Sequence, residues 1–181
     1  MIRVRAFFSL SERKRERNRS FVSGLGLTGD EKALDFGCGT GTTSEHLASV
    51  LAQGGGHLTC VDISRRRVRI ARKRLRHYAN VGVHLGHLPT LPIPDGQFDF
   101  VLVAAVLHEV KKAIREEIAA SLAAKLKPGG RLVIVEPTGK RHGIPAQEIR
   151  ALLQNAGLEE ESPQLSETRY RATYTKPARE V

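Results

Sequence analysis

The stretch Leu34-Asp35-Phe36-Gly37-Cys38-Gly39-Thr40-Gly41 constrains the fold more than any other part of the chain. An apolar run of strand length passes straight into three alternate glycines, and a helical pattern opens just beyond them. Glycine has no Cβ, so the backbone there can turn sharply and come close to a ligand. The helix that follows offers free N–H groups and the positive end of its dipole, a setting for a polar or anionic group. A strand, a tight turn and a helix in this order form the unit from which helix-covered parallel sheets are built.

The rest of the chain repeats the unit. Apolar runs bounded by glycine, proline and polar residues predict strands at Ala33–Phe36, His57–Val61, Val81–Leu85, Phe98–Ala104 and Arg131–Glu136. Thr42, with Glu45 three residues on, predicts a capping box for a helix running to about Gln53, where Gly54-Gly55-Gly56 stops it. Ser64 is placed to cap a helix whose Val68, Ala71, Leu75 and Tyr78 share one face. Further helices are expected over Lys112–Leu126, ahead of Pro128-Gly129-Gly130, and from Pro145 to Gly157. Leu158–Pro163 and Thr168–Thr175 predict a closing hairpin. The fold class expected is therefore α/β, a doubly wound, mostly parallel seven-stranded sheet with an antiparallel edge strand. Residues 11–27 read as a helix, and the division expected is residues 1–28 as a basic helical segment packed on the core and 29–181 as the ligand-binding domain.

Charge is unevenly spread along the 181 residues. Residues 1–20 hold seven basic and two acidic side chains, and residues 65–76 hold eight basic and none acidic, within a net charge of +10. Such clusters are either solvated helix faces or surfaces for an anionic partner such as RNA, here through residues 13–19 and 65–76. Apolar stretches such as Phe100–Leu107 fall far short of the roughly 20 residues that span a bilayer. The start of the chain carries Arg3 and Arg5 in place of a secretory signal's apolar core, so a cytoplasmic location is expected. Cys38 and Cys60 fit neither a zinc-ligand spacing nor a disulfide framework, and no metal site is expected.

Asp62 ends the second strand, 21 residues beyond Gly41. In a doubly wound sheet it lies beside the glycine turn, where a carboxylate accepts ribose hydroxyls; the alternative is that it serves the start of the next helix. The turn reads Gly-x-Gly-x-Gly with Thr42 beyond it, whereas the dinucleotide fingerprint is Gly-x-Gly-x-x-Gly, which argues against nicotinamide and flavin cofactors.

With these motifs the sequence resembles the class I S-adenosylmethionine-dependent methyltransferases, and within them the type 11 methyltransferase domain that includes quinone-biosynthesis and other small-molecule enzymes. Leu34–Gly41 resembles the first motif of that family, and Val61-Asp62-Ile63-Ser64 its acidic ribose-binding turn. Leu91-Pro92-Ile93-Pro94-Asp95-Gly96-Gln97-Phe98-Asp99, Leu107-His108-Glu109-Val110 and Leu126-Lys127-Pro128-Gly129-Gly130 resemble the three that follow. The resemblance covers about residues 30–157 and implies a Rossmann-like fold and S-adenosylmethionine as cofactor. It implies that Asp35, Phe36, Gly37, Cys38, Gly39, Thr40 and Gly41 line the methionine and adenosine side, that Asp62 holds the ribose and Ile63 flanks the adenine, and that Ala104 completes that side. Where the family commonly has an acidic residue followed by a small one after the third strand, this chain has His87 and Leu88. Either His87 replaces the missing acceptor or it faces solvent, while Leu88 offers its backbone N–H.

Methyl transfer from a sulfonium expels a neutral thioether, so alignment is the main task and a base is needed only for a protonated acceptor. His108, just past the fourth strand, is the candidate base or a pocket-shaping residue, and Glu109, Glu136 and His142 are candidate substrate contacts, with Arg141 beside them. No Asn-Pro-Pro-Tyr run follows the fourth strand; the chain there reads Ala104-Ala105-Val106-Leu107, which argues against methylation of a flipped base. No cysteine lies near the fourth or fifth strand to serve as a covalent nucleophile. The function expected is methyl transfer to O, N or C of a small molecule, with an RNA-directed methyltransferase or a non-catalytic cofactor-binding subunit as alternatives.

Overall fold

A strand buried on both faces needs helices above and below it, and Ala33, Leu34, Asp35 and Phe36 are all buried in the computed structural model, which describes residues 10–139 and 142–178. These residues belong to β1 (Lys32–Phe36), which lies inside a seven-stranded sheet. In chain order the elements are α1 (Leu10–Ser23), β1, α2 (Ser44–Leu51), β2 (His57–Asp62), α3 (Arg65–Leu75), β3 (Val81–Leu85), β4 (Phe98–Ala104), α4 (Arg115–Lys125), β5 (Leu126–Pro137), α5 (Ala146–Asn155), β6 (Glu159–Leu165) and β7 (Arg169–Thr175). The spatial order of strands is 3-2-1-4-5-7-6. Strands β1 to β5 run parallel, and β7 runs antiparallel to both of its neighbours. The antiparallel strand therefore sits one place in from the edge, and β6 forms the edge itself. From β1 the chain winds outward through β2 to β3, then returns to place β4 on the other side of β1. The crevice between the ends of β1 and β4 is the place where such sheets bind ligands.

Two cores flank the sheet. On one face Leu47 and Leu51 of α2, Ala71 and Leu75 of α3, and Val22 and Leu25 at the end of α1 pack on β1, β2 and β4. On the other, Ile118 and Leu122 of α4 and Ile149 and Leu153 of α5 pack on Leu34, Val101, Leu132 and Ile134. Residues 12–17 of α1 are exposed, so only the end of that helix joins the core. No full helix joins β3 to β4; a 3-10 turn at Leu88–Thr90 takes its place, with Leu88 and Ile93 buried beneath it.

Three expected boundaries move, each for a physical reason. The Thr42–Glu45 capping box does not form: Thr43 is the N-cap, without a side-chain bond. Ser44 instead donates its hydroxyl to Asp35 at 2.5 Å, and Glu45 pairs with Arg74 at 3.2 Å. Strand β5 starts at Leu126 rather than Arg131, because the Pro128-Gly129-Gly130 stretch bulges without leaving the sheet: Leu126 pairs with Phe98, and Gly129 N–H donates to Lys176 O. The helix expected from Lys112 opens as a separate 3-10 turn, Lys112–Ile114, before α4. Ser64 caps α3 as expected, its Oγ accepting from Arg67 N–H at 3.3 Å. At the outer edge all of β6 is at least partly exposed, its register breaks between Glu161 and Gln164, and Ser162 adopts φ 48°. At the other edge the Arg72 guanidinium donates twice to Val83 O of β3, at 3.0 and 3.2 Å.

Candidate functional site

The three glycines after β1 all have positive φ, at 72°, 58° and 75° for Gly37, Gly39 and Gly41. They differ in what surrounds them. A Cβ on Gly37 would lie 2.4 Å from a Val106 methyl, and one on Gly41 would lie 3.3–3.4 Å from Leu75 and Ala71 of α3. A Cβ on Gly39 would meet nothing within 4 Å. Gly37 and Gly41 are thus glycines because the protein packs against them, whereas Gly39 leaves bare backbone facing open space.

Asp62 turns its carboxylate back toward this loop. Its Oδ2 accepts from Gly39 N–H at 2.9 Å and its Oδ1 from Ser64 N–H at 2.8 Å. Asp62 thus lies against the glycine loop and also steadies the entry to α3. Each carboxylate oxygen keeps a further lone pair for a ligand hydroxyl. Asp35 is buried behind the loop, and burial pushes its carboxyl up to about 6, against the pull of the Ser44 hydrogen bond and with help from the charge on Asp62. No ion pair to either carboxylate occurs among the described residues. Two acids without a cationic partner at adjacent strand ends suit a ligand that brings hydroxyls and positive charge. Cys38 and Cys60 are free and buried, and the Cys38 thiol is pushed up, first by its hydrogen bond with Cys60 and then by burial, so it is not a nucleophile at neutral pH.

A cavity of about 520 Å³ opens above these strand ends. Of the residues singled out in the sequence, it brings together Phe36, Gly37, Asp62, Ile63, His87 and Glu109. Ile63 stands 74% exposed at its mouth, an apolar side chain with no protein cover. His87 places Nε2 in a buried position with no hydrogen-bond partner. Glu109 reaches across the mouth to Arg67 of α3 at 3.3 Å, a half-exposed pair of small worth in itself. The wall passes through Ala105, not the expected Ala104, which packs on the α2–α3 side. Leu88 is fully buried in the core, backbone included, and does not line the cavity, so the expected ligand contact there does not form. Cys38, Thr40 and Gly41 shape the loop from behind, with Thr40 O accepting from Arg74 at 2.9 Å.

Three expected contacts fall elsewhere. Glu136 is completely buried and both its oxygens are taken: Oε1 accepts from Val106 N–H and Leu107 N–H, each at 2.7 Å, and Oε2 meets His108 N–H at 3.3 Å and His108 Nδ1 at 2.7 Å. It therefore has no face for a substrate, and His108, held by it, does not line the cavity. His142 is exposed and away from the cavity, and Arg141 lies outside the described residues. Sequence reasoning missed the apolar wall formed by Val106, Val110, Ile114 and Ile118. Their spacing of four residues was the available signal, hidden because it runs across two 3-10 turns before reaching α4.

Comparison with known proteins bears on this geometry. A family profile described as a methyltransferase domain matches residues 33–130, from β1 through the bulge in β5. A demethylmenaquinone methyltransferase of Tropheryma whipplei is 38% identical over 112 residues, covering 62% of this chain and 44% of that protein. A ubiquinone/menaquinone biosynthesis C-methyltransferase of Psychromonas ingrahamii is 32% identical over 121 residues, covering 65% of this chain and 47% of that protein. The match thus spans under half the length of these relatives. Among solved structures, a SAM-dependent methyltransferase of Methanosarcina mazei superposes with a TM-score of 0.75 at 21% identity, over 87% of this chain and 97% of that one. The cyclase SpnF does so with a TM-score of 0.77 at 20% identity, over 90% and 82%. These superpositions speak for a shared fold, and the profile match, covering more than half of the chain and all of the glycine loop, goes further: this chain belongs to the methyltransferase-domain family.

Proposed function

We propose that the chain is an S-adenosylmethionine-dependent methyltransferase that passes a methyl group to O, N or C of a small-molecule acceptor by in-line displacement. The observation that carries this reading is the bare backbone at Gly39, held by the Asp62 carboxylate with the buried Asp35 carboxyl behind the loop, neither acid in an ion pair among the described residues. S-adenosylmethionine carries an ammonium, a sulfonium and a ribose diol, the groups such a site lacks. When bound it supplies an electrophilic methyl group whose leaving group needs no proton.

The chain's own residues then have distinct tasks. Residues Asp35–Gly41 form the bed for the methionine and adenosine, and Asp62 receives the ribose hydroxyls while keeping its bonds to Gly39 and Ser64. Ile63 covers one face of the adenine, and the partnerless Nε2 of His87 turns to the base in place of the usual carboxylate. Val106, Val110, Ile114 and Ile118 exclude water from the cavity. Catalysis then rests on orientation rather than on a base, since His108 is tied to Glu136. The two curated relatives are named for methylating a quinone precursor and for C-methylation in quinone biosynthesis, so quinone-like acceptors are the first to try.

The test is calorimetry with S-adenosylhomocysteine, followed by turnover with methyl-labelled S-adenosylmethionine across acceptor classes. Binding together with acceptor-dependent release of S-adenosylhomocysteine supports the reading. An absence of binding heat overturns it, and binding without turnover on any class favours a cofactor-binding subunit.

A second reading concerns partners. Arg65, Arg66 and Arg69 are exposed on α3, and residues 65–76 carry no acidic side chain to neutralise them. An RNA held there would lose affinity steeply with salt, with a log–log slope of about −0.7 per phosphate neutralised for a single strand. A flat salt profile for acceptor turnover assigns the arginines to solvent.

A further inference from the structure

We propose that Glu136 is the positioning residue of the cavity: its buried carboxylate clamps the turn after β4 and thereby sets the wall against which the ligand lies. The inference rests on the cofactor reading above only for the identity of that ligand.

Four observations converge. Along β5, Leu132, Ile134 and Glu136 fall on one face by strand alternation, and all three have zero exposure. A carboxylate in such a row is costly unless every oxygen is satisfied, and a leucine there would serve the core at least as well. The carboxylate is satisfied by one segment alone: three successive amides, those of Val106, Leu107 and His108, and the His108 ring. That segment follows Ala105, which holds φ 57°, a left-handed setting that a residue with a Cβ keeps only when its surroundings enforce it. Enforcement comes from both sides, since Ala105 N–H donates to Val135 O at 2.8 Å and Glu136 grips the next three residues. Finally, the clamped turn supplies Ala105, Val106, Glu109 and Val110 to the cavity, and Val106 also fills the space above Gly37. A loosened turn would therefore disturb the wall and the glycine loop together.

His108 belongs to the same device. Its Nδ1–H completes the set of donors around Glu136, so the imidazole acts on the ligand through the clamp and not by contact. Arg115, which donates to the carbonyl groups of both Val110 and His108, ties the far end of the turn to α4.

The experiment compares the full chain with Glu136→Leu, Glu136→Gln and a control, Ile134→Val, which trims the same face of β5 without touching the turn. Each is measured for S-adenosylhomocysteine affinity, for melting temperature, and for amide hydrogen exchange at Val106, Leu107 and His108. The expected result is that Glu136→Leu binds about 10-fold more weakly or worse, which corresponds to about 1.4 kcal/mol, with faster exchange at those three amides. Glu136→Gln, which keeps one acceptor oxygen, should fall between, and Ile134→Val should retain affinity even though its melting point drops. If both Glu136 variants bind like the parent, or if exchange at the three amides does not change, the clamp is refuted. Should Glu136→Leu fail to fold, the Gln variant carries the comparison. Should the parent not bind S-adenosylhomocysteine, the cofactor reading falls while the exchange rates still decide the clamp.

Discussion

Replacing Gly39 separates ligand approach from packing, because its neighbours in the same loop supply the controls. A leucine at position 39 meets no protein atom within 4 Å of its Cβ, so the cost to the fold is the left-handed φ of 58°. That conformation costs an L-residue roughly 1–2 kcal/mol, which for a chain of this size lowers the melting temperature by about 2–8 °C. The ligand effect is larger. A leucine side chain and a bound cofactor would claim the same volume, so affinity for S-adenosylhomocysteine should fall by about 100-fold or more, about 2.7 kcal/mol. Gly41→Ala reverses the order: its Cβ would lie 3.3 Å from Leu75 and 3.4 Å from Ala71, adding crowding to the same backbone cost, while it faces α3 and not the cavity. It should melt lower than a change of φ alone explains and keep affinity within about threefold, a difference of about 0.7 kcal/mol. Calorimetry and thermal melts on the two variants give the four numbers needed. If Gly39→Leu binds like the parent, the ligand does not approach the loop backbone, and the reading of the first strand's mouth fails.

Asp35 gives a pH-dependent test. Its carboxyl stands at about 6 in the folded chain against 3.8 as an unperturbed group, so the native state holds a proton that the unfolded chain has already released. Stability from this group is therefore full below about pH 4 and is lost as pH rises through 6, by about 3 kcal/mol at most for two units at about 1.4 each. Asp35→Asn should raise the melting temperature at pH 7, leave it near the parent's at pH 4, and weaken cofactor binding; a loss of stability at both pH values would contradict the account. For Asp62→Ala, the removal of charge-assisted contacts to the ribose should cost about 1–3 kcal/mol of cofactor affinity, read by calorimetry, and unchanged affinity would remove Asp62 from the site.

The sheet was legible because its signals are local and redundant. Val81–Leu85 and Phe98–Ala104 stand where apolar runs and their flanking punctuation put them, and the closing hairpin appears within a few residues of its expected place. What the sequence hid were choices settled by partners far along the chain. Thr42 and Glu45 have the spacing of a cap, yet Glu45 pairs with Arg74 and the neighbouring Ser44 with Asp35, so neither serves the helix end. Glu136 stands at a strand end facing the crevice, but strand alternation puts it in line with Leu132 and Ile134, and reading that parity would have predicted an inward acid in need of donors. The glycine loop was readable as a loop, but which glycine faces open space depends on Val106, 69 residues beyond Gly37, and on Leu75, 34 residues beyond Gly41. Those two side chains arrive at the loop from the turn after β4 and from α3, so only the assembled sheet tells a packed glycine from a bare one.

 

Both margins of the sheet carry features that hinder the addition of further strands. On one side three consecutive glutamates, Glu159 to Glu161, precede the φ 48° kink at Ser162 and then Pro163, which has no N–H to lend. On the other side Arg72 already occupies a carbonyl that an incoming strand would need. Blunted margins of this kind work against the zipper-like stacking by which exposed β-edges aggregate, which a seven-stranded hydrogen-bonded array would otherwise invite. The helical flanks and the crevice rim carry no such guard, and they leave side chains as the natural points of contact for a companion molecule.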